Sequence, residues 1–336
     1  MIRRCYLGWL AAAALAFGTL RPAYAEVNEV SLSLQFGIGY LPLTVMRHNK
    51  LVEKHLAAEG LGGTKVTWAR FGAGSAANDA LLAGSLNFAA GGTGPAFILW
   101  DRTRGNIGVH GVAALCSMPN LLVTRNPNVK SIRDFTDNDR IAMAGAGSSV
   151  QTIYLEMAVA KAYGIENYKK LATLMVKMPH PVGLTALLSG QGEIDAQFTS
   201  PPFQYYALEH PGIHTVLNSY DVMEGPNTFL VVWATEKFRN ENPKTYKAVF
   251  EALDEATAFI NAHKQEAAQI YVEDGGKKES VDKILKMLED PQMKFTIAPE
   301  RTLKFAQFMY QVGILHNEPK SWEDLFFPEV HNLPGS

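Results

Sequence analysis

The chain has 336 residues, 47% hydrophobic and 19% charged, with 31 basic against 33 acidic side chains and a formal net charge of −2. At roughly 100–200 residues per domain that length suggests two domains. The near-neutral balance, with no basic run, argues against nucleic acid or anionic lipid as a partner.

The first residues read as a targeting segment. Arg3 and Arg4 precede an apolar run from Leu7 to Leu20, and Ala23-Tyr24-Ala25 is a small-x-small cleavage site. That order is a secretory signal peptide over residues 1–25. Its apolar run falls short of the ~20 residues a membrane span needs, and Arg3-Arg4 also fits a twin-arginine export signal. Cleavage removes three of the 31 basic residues and none of the 33 acids, leaving 28 against 33 and a net charge of −5. Nothing later is apolar for long enough to span a bilayer, so a soluble protein without direct membrane insertion is expected once the signal is removed. Cys5 leaves with the signal and Glu26 follows the cut, so no cysteine is placed for lipid attachment. Cys116, within Ala-Ala-Leu-Cys-Ser-Met, is expected to be a buried thiol.

From residue 26 the chain alternates strand-like and helix-like segments, the pattern of an α/β fold. Val30–Phe36 reads as a strand, Gly37–Pro42 as a turn, and a helical stretch runs through Leu51 and Val52. Lys65–Phe71 is a second strand, and Gly72-Ala73-Gly74-Ser75 opens a helix with Ser75 as its expected N-cap. Leu86–Ala90 is a short strand ending in Gly91-Gly92-Thr93-Gly94-Pro95, where Pro95 suits a helix's first turn. Ile107–Leu115 is a further strand. The pattern then restarts. Leu121–Thr124 reads as a strand, Ser131–Phe135 as a short helix, Arg140–Ala144 as a strand, and Val150–Tyr163 as a helix. Leu174–Met178 and Ile194–Phe198 are strands around a helix over Gly183–Ser189, and Phe229–Ala234 is the last clear strand. The remainder is helical. Tyr246, Val249, Leu253, Ala256 and Ile260 make one apolar stripe at three- and four-residue spacing.

Catalytic motifs are missing. Pro42 stands where a dinucleotide loop needs its third glycine, and neither a phosphate loop nor a Gly-x-Ser-x-Gly elbow occurs. His210 and His214 are separated by Pro211-Gly212, which prevents the helix that would align them on a metal. No enzyme activity, cofactor or metal is expected.

The turns after the strands carry the chemistry instead. Gly39-Tyr40, Thr93-Gly94, Ser148-Ser149 and Thr199-Ser200 each follow a strand and sit at or before a helix start. Backbone N–H groups there, with the positive end of the helix dipole, favour an oxyanion or carboxylate. In open α/β sheets ligands sit just beyond the carboxyl ends of the strands. His180, in Met-Pro-His-Pro, is expected on a loop that reaches the same crevice. No Lys or Arg belongs to these four turns, so an anion would be held by helix ends and hydroxyls.

The chain resembles the periplasmic binding proteins of the nitrate, sulfonate and taurine importers, a family with relatives for thiamine-precursor pyrimidines. The carriers are Phe36-Gly37-Ile38-Gly39-Tyr40-Leu41-Pro42, Ala80 to Phe88 with Asn87 where Asp is usual, Val129 to Phe135, and Leu187 to Ala196. The resemblance implies a type II periplasmic-binding fold, in which two doubly wound α/β lobes joined by a two-strand hinge hold ligand in the cleft between them. Lobe 1 would comprise residues 26–117 and most of 226–336, lobe 2 residues 118–225, with Leu121–Thr124 and Phe229–Ala234 as crossover strands. Ligand contacts are implied at Gly39, Tyr40, Thr93, Gly94, Met118, Ser148, Ser149 and Ser200. The implied function is that of a monomeric substrate-binding subunit, which closes on a small organic anion such as a sulfonate, taurine or nitrate. It would deliver that solute to the permease and ATPase of an ABC importer. A neutral heteroaromatic ligand, a sensor role and an enzyme related to the family's pyrimidine-making members stand as alternatives.

Overall fold

The computed structural model describes residues 25–275 and 279–336. Apart from Ala25, the expected signal peptide lies outside the described residues.

The first run of the chain is β1 (Glu29–Leu34), a 3-10 turn at Ile38–Tyr40, α1 (Leu41–His48), α2 (Leu51–Ala58), β2 (Lys65–Arg70), α3 (Gly74–Leu82), β3 (Ala89–Gly92), α4 (Thr93–Thr103) and β4 (Val109–Ser117). A second run follows: β5 (Leu121–Thr124), β6 (Ile141–Met143), α5 (Val150–Tyr163), β7 (Met175–Lys177), α6 (His180–Ser189), β8 (Ala196–Thr199), α7 (Phe203–Leu208), β9 (His214–Asn218) and α8 (Ser219–Met223). The tail holds β10 (Thr228–Thr235), α9 (Glu236–Glu241), α10 (Pro243–Ala262), α11 (Lys264–Asp274), α12 (Val281–Leu288), β11 (Lys294–Phe295) and α13 (Thr302–Gln311).

Two sheets result, with one plan. In the first, β1 and β2 pair in parallel and a Leu32–Phe88 bridge joins them to the row β3-β10-β4-β11. The second runs β7-β6-β8-β5-β9. Besides β11, which runs antiparallel to β4 at the edge of the first sheet, each sheet holds an inserted strand antiparallel to both neighbours: β10 lies between β3 and β4, and β5 lies between β8 and β9. The expected crossover strands are therefore these two, entered through residues 118–120 and 224–227. β4 and β10 are apolar and buried almost throughout, as a central strand covered on both faces must be. The α10 stripe packs as expected, with Tyr246, Val249, Leu253, Ala256 and Ile260 all buried. Cys116 is free and fully buried, and its thiol is pushed well above the ordinary range by loss of solvation.

Local expectations need four corrections. Ser131–Phe135 is a turn rather than a helix, because the Asp134 carboxylate takes the N–H groups of Lys130 and Ser131 and the Ser131 hydroxyl. Ala73 caps α3, and Ser75 lies inside its first turn. α6 begins at His180, three residues early, since Pro181 supplies the fixed φ of a helix's first turn. β9 and the two-residue β11 had no clear sequence signal.

Helix α5 is tied to both crossovers. Gln151 Nε2 donates to Asn120 Oδ1 at 2.7 Å in the first, and Asn227 Nδ2 donates to Tyr154 Oη in the second. Gln151 and Tyr154, three residues apart, share a helix face. All four side chains are buried.

Candidate ligand cleft

The turns that leave the carboxyl ends of the two sheets meet face to face. The turn after β1 meets the turn after β8, where Ile38 N–H donates to the Pro201 carbonyl at 3.1 Å. Gly37 makes that approach possible with φ +119°, a conformation strained for any side chain, and a Cβ there would stand 3.1 Å from the same oxygen. The turn after β3 meets the turn after β6 even more closely. A Cβ on Gly94 would lie 2.6 Å from the Ser148 carbonyl oxygen. The turn after β2 meets the turn after β7, with Gly72 against the Pro179 ring.

These three meetings enclose a cavity of about 30 Å³, lined from the first sheet by Gln35, Phe36, Tyr40, Gly74, Ser75 and Pro95 and from the second by Ser148, Ser149, Gln151 and His180. Phe229 and Leu230, at the start of β10, complete the wall. A water needs roughly 10–15 Å³ of such space. Wider spaces adjoin on either side. One of about 420 Å³ shares Gln35 and Phe36 and reaches Arg70 and Tyr271, and one of about 570 Å³ shares Ser75, Pro95 and Ser148.

The amino ends of α3, α4, α5 and α6 all start at these turns. Each brings first-turn N–H groups without intrahelical partners and the positive end of its dipole. Among the described residues no Lys, Arg, Asp or Glu lines the cavity. His180 is buried there, and lost solvation lowers its pKa to about 4, so it is a neutral imidazole at neutral pH. Its Nδ1 pairs with Thr199 Oγ1 at 3.0 Å and its ring stacks on Phe203. Tyr40 lines the cavity and is buried, which pushes its hydroxyl well above the usual range.

Of the nine residues expected in the site, Tyr40, Ser148, Ser149 and His180 line the cavity. Ser149 spends its hydroxyl capping α5, accepting from Thr152 N–H at 3.2 Å. Gly39, Thr93, Gly94, Met118 and Ser200 do not line it. Gly39 lies against Leu230 and Cys116, Gly94 forms the close approach itself, and Ser200 sits beneath Gly37. The Thr93 hydroxyl is buried without a hydrogen-bond partner among the described residues. Met118 packs in the core and only its carbonyl is engaged, by Asn120. Gln35, Gln151, Phe229 and the turn from Gly72 to Ser75 belong to the wall but were not singled out as site residues from sequence. Their one signal was position at or just beyond a strand end or helix start.

A sequence model of the NMT1-like family matches residues 23–273. The chain belongs to the NMT1-like family. No curated protein matches the chain. Among solved structures, this family member is similar to the alkanesulfonate-binding protein SsuA of Xanthomonas axonopodis bound to MOPS, with 17% identity, TM-score 0.67, and 88% of this chain and 96% of that one covered. It is similar to the periplasmic aliphatic sulphonate binding protein SsuA of Escherichia coli, with 17% identity, TM-score 0.64 and 93% and 95% covered. It is also similar to the periplasmic nitrate-binding protein NrtA of Synechocystis, with 15% identity, TM-score 0.68 and 89% and 84% covered. The fold is thus the periplasmic binding protein fold expected from the sequence. Among the described residues no helix is long and apolar enough to cross a membrane, and no cluster of three His, Cys, Asp or Glu side chains could hold a metal ion.

Proposed function

We propose that this protein is the extracytoplasmic substrate-binding subunit of an ABC importer, exported by residues 1–25, that captures a small solute between two lobes and presents it to a membrane permease. The observation that carries this reading is the enclosed cavity itself. Turns from two separate sheets meet there with four helix amino ends, and no side chain arrangement suggests a bond being made or broken. The proposed lobes are residues 26–117 with most of 226–336, and residues 118–225. Closure bends residues 118–120 and 224–227, and solute that touches both walls stabilises the closed form by its differential affinity for that form.

The first ligand class is a small organic anion, sulfonate-, taurine- or nitrate-like. Helix amino ends suit an oxyanion in the absence of a cation, and solved neighbours are described as sulfonate- and nitrate-binding. One observation favours a second class, a neutral heteroaromatic: the wall carries no formal charge, while Phe36, Tyr40 and Phe229 supply apolar faces.

Thermal unfolding of the processed protein against nitrate, sulfonates, carboxylates and pyrimidines tests the reading. A solute at 100 times its Kd adds about 2.7 kcal/mol of stability. A shift confined to one class identifies what the cleft reads, and no shift with any class refutes the ligand assignments. Loss of solute uptake on gene deletion, as against loss of a signalling response alone, separates importer from sensor.

A further inference from the structure

Two glutamines face the cavity, one from each side, and both have their polarity fixed. Gln35 Nε2 donates to the Ala90 carbonyl at 2.8 Å. A carbonyl only accepts, so the amide nitrogen must point that way and Oε1 the other. Gln151 Nε2 donates to Asn120 Oδ1, and Asn120 is itself fixed because its Nδ2 donates to the Met118 carbonyl. Turning Asn120 over would set two oxygens against each other. Neither Gln35 Oε1 nor Gln151 Oε1 has a hydrogen-bond partner within the described chain, and neither is among the sealed, partnerless atoms. Both glutamines line the cavity, and neither oxygen is sealed from solvent.

We infer that the cleft selects solutes carrying an N–H donor, an amino or amide group held between the oxygens of Gln35 and Gln151, with Asn120 as the positioning residue for Gln151. This rests on the binding-protein reading above and refines its ligand class. The helix amino ends offer donors and so want acceptors, whereas these two side chains offer acceptors. A solute with only oxyanion oxygens satisfies the first set and leaves two dehydrated carbonyl oxygens unpaired on closure. A solute with an amino group at one end and acceptors at the other satisfies both. With His180 neutral and no carboxylate in the wall, the donor site reads hydrogen-bond polarity and not charge.

Matched probes test this by calorimetry and thermal shift: 2-aminoethanesulfonate against ethanesulfonate, 3-aminopropionate against propionate, and 4-aminopyrimidine against pyrimidine. The amino member of the binding pair should bind at least tenfold more tightly to the wild-type protein. That advantage should shrink severalfold in Gln35→Met and Gln151→Met, which keep length but lose the oxygen. Asn120→Ala should erode the same advantage, read as the ratio of the two affinities within a pair, by letting the Gln151 amide turn. A merely structural role for Asn120 would weaken both members equally. Equal binding within every pair, or an advantage that survives in both glutamine variants, would overturn the inference. Binding of nitrate or ethanesulfonate with no gain from an amino group would overturn it too and leave the binding-protein reading standing. Absence of binding by all six probes and nitrate, in a protein that still melts cooperatively, would count against both.

Discussion

Gly94→Ala should cripple binding without harming the fold. A Cβ at this position would stand 2.6 Å from Ser148 O, about 0.8 Å inside the 3.4 Å where ordinary contact begins, with Ser149 C and O at 3.2 and 3.3 Å. The obstacle is main chain at the start of α5, which cannot rotate aside. The backbone at Gly94 does not need positive φ, and alanine inside α4 is favoured over glycine by up to about 1 kcal/mol. The open form therefore gains slightly while only the closed form meets the wedge. Overpacking of this kind costs about 1–3 kcal/mol. Confined to the closed state, it appears as roughly 5- to 150-fold weaker binding of the solute that stabilises the wild type most. Titration calorimetry reads the loss, and small-angle scattering should show a larger radius of gyration for the variant with solute present. Gly63→Ala is the control, because nothing lies within 4 Å of its Cβ. A Gly94→Ala protein that binds with wild-type affinity and compacts to the wild-type radius would refute the meeting of these turns on closure.

Two buried groups should bend the pH profile of stability in opposite directions. His180 has a folded pKa of about 4 against an ordinary 6.5, so the unfolded chain takes up the proton first; stability is lost as pH falls from 6.5 towards 4, by about 3 kcal/mol at the limit. His180→Gln should flatten that fall in melting temperature, and an unchanged slope would refute it. Glu156 is raised from 4.5 to about 7, mainly by burial, so it costs stability as pH rises through that window. Glu156→Gln should stabilise the protein by about 1–2 kcal/mol at pH 8 and hardly at pH 4.5, whereas a loss at pH 8 would show the carboxylate to be paired. Tyr154→Phe removes one of two acceptors of Asn227 Nδ2, the other being the Thr228 carbonyl; Asn227 Oδ1 is buried and unbonded among the described residues, and the loss should cost about 1–2 kcal/mol in denaturant unfolding. Cys116 should resist thiol reagents until the protein unfolds; reaction at the rate of an exposed thiol would contradict its burial.

The backbone of the site was legible because glycine and hydroxyl residues mark turns wherever they occur. The turns that begin at Gly37, Gly91 and Gly145 are marked in this way, and both crossover strands stand out as apolar runs. Which side chains face the cavity was much less legible. Gln35 sits at the end of an apolar strand run and Gln151 inside a helical one; each looks like an ordinary polar interruption until a segment over fifty residues away supplies Ala90 O or the opposite wall. Met118 erred the other way. Its place between two strands was read correctly, but one packed side chain decides whether a position lines a cleft or fills a core, and local sequence does not encode that. His180 failed at the helix boundary, where a Pro-His-Pro run suits a loop and a first turn equally.

The way the turns meet follows from the shared strand plan. Counting strands within each run, apart from the antiparallel insert, β1, β2 and β3 correspond to β6, β7 and β8, since both sheets place the second strand outermost and the third beside the insert. The turns meet as first with third, second with second and third with first, which is the pairing a two-fold axis through the cavity would impose. Such pairing makes both walls of one chemistry, helix amino ends against helix amino ends, and would by itself favour a symmetric oxyanion. The departures from symmetry are therefore where discrimination has to reside. Gln35 belongs to the end of a strand and Gln151 to the first turn of a helix, so their oxygens are not two-fold mates. The Gln151 wall is tied to both crossovers by buried side chains, through Asn120 on one and Tyr154–Asn227 on the other. A solute that engages Gln151 thus acts on the same helix that holds both bending segments, whereas contact with Gln35 reaches the crossovers only through the body of its own sheet.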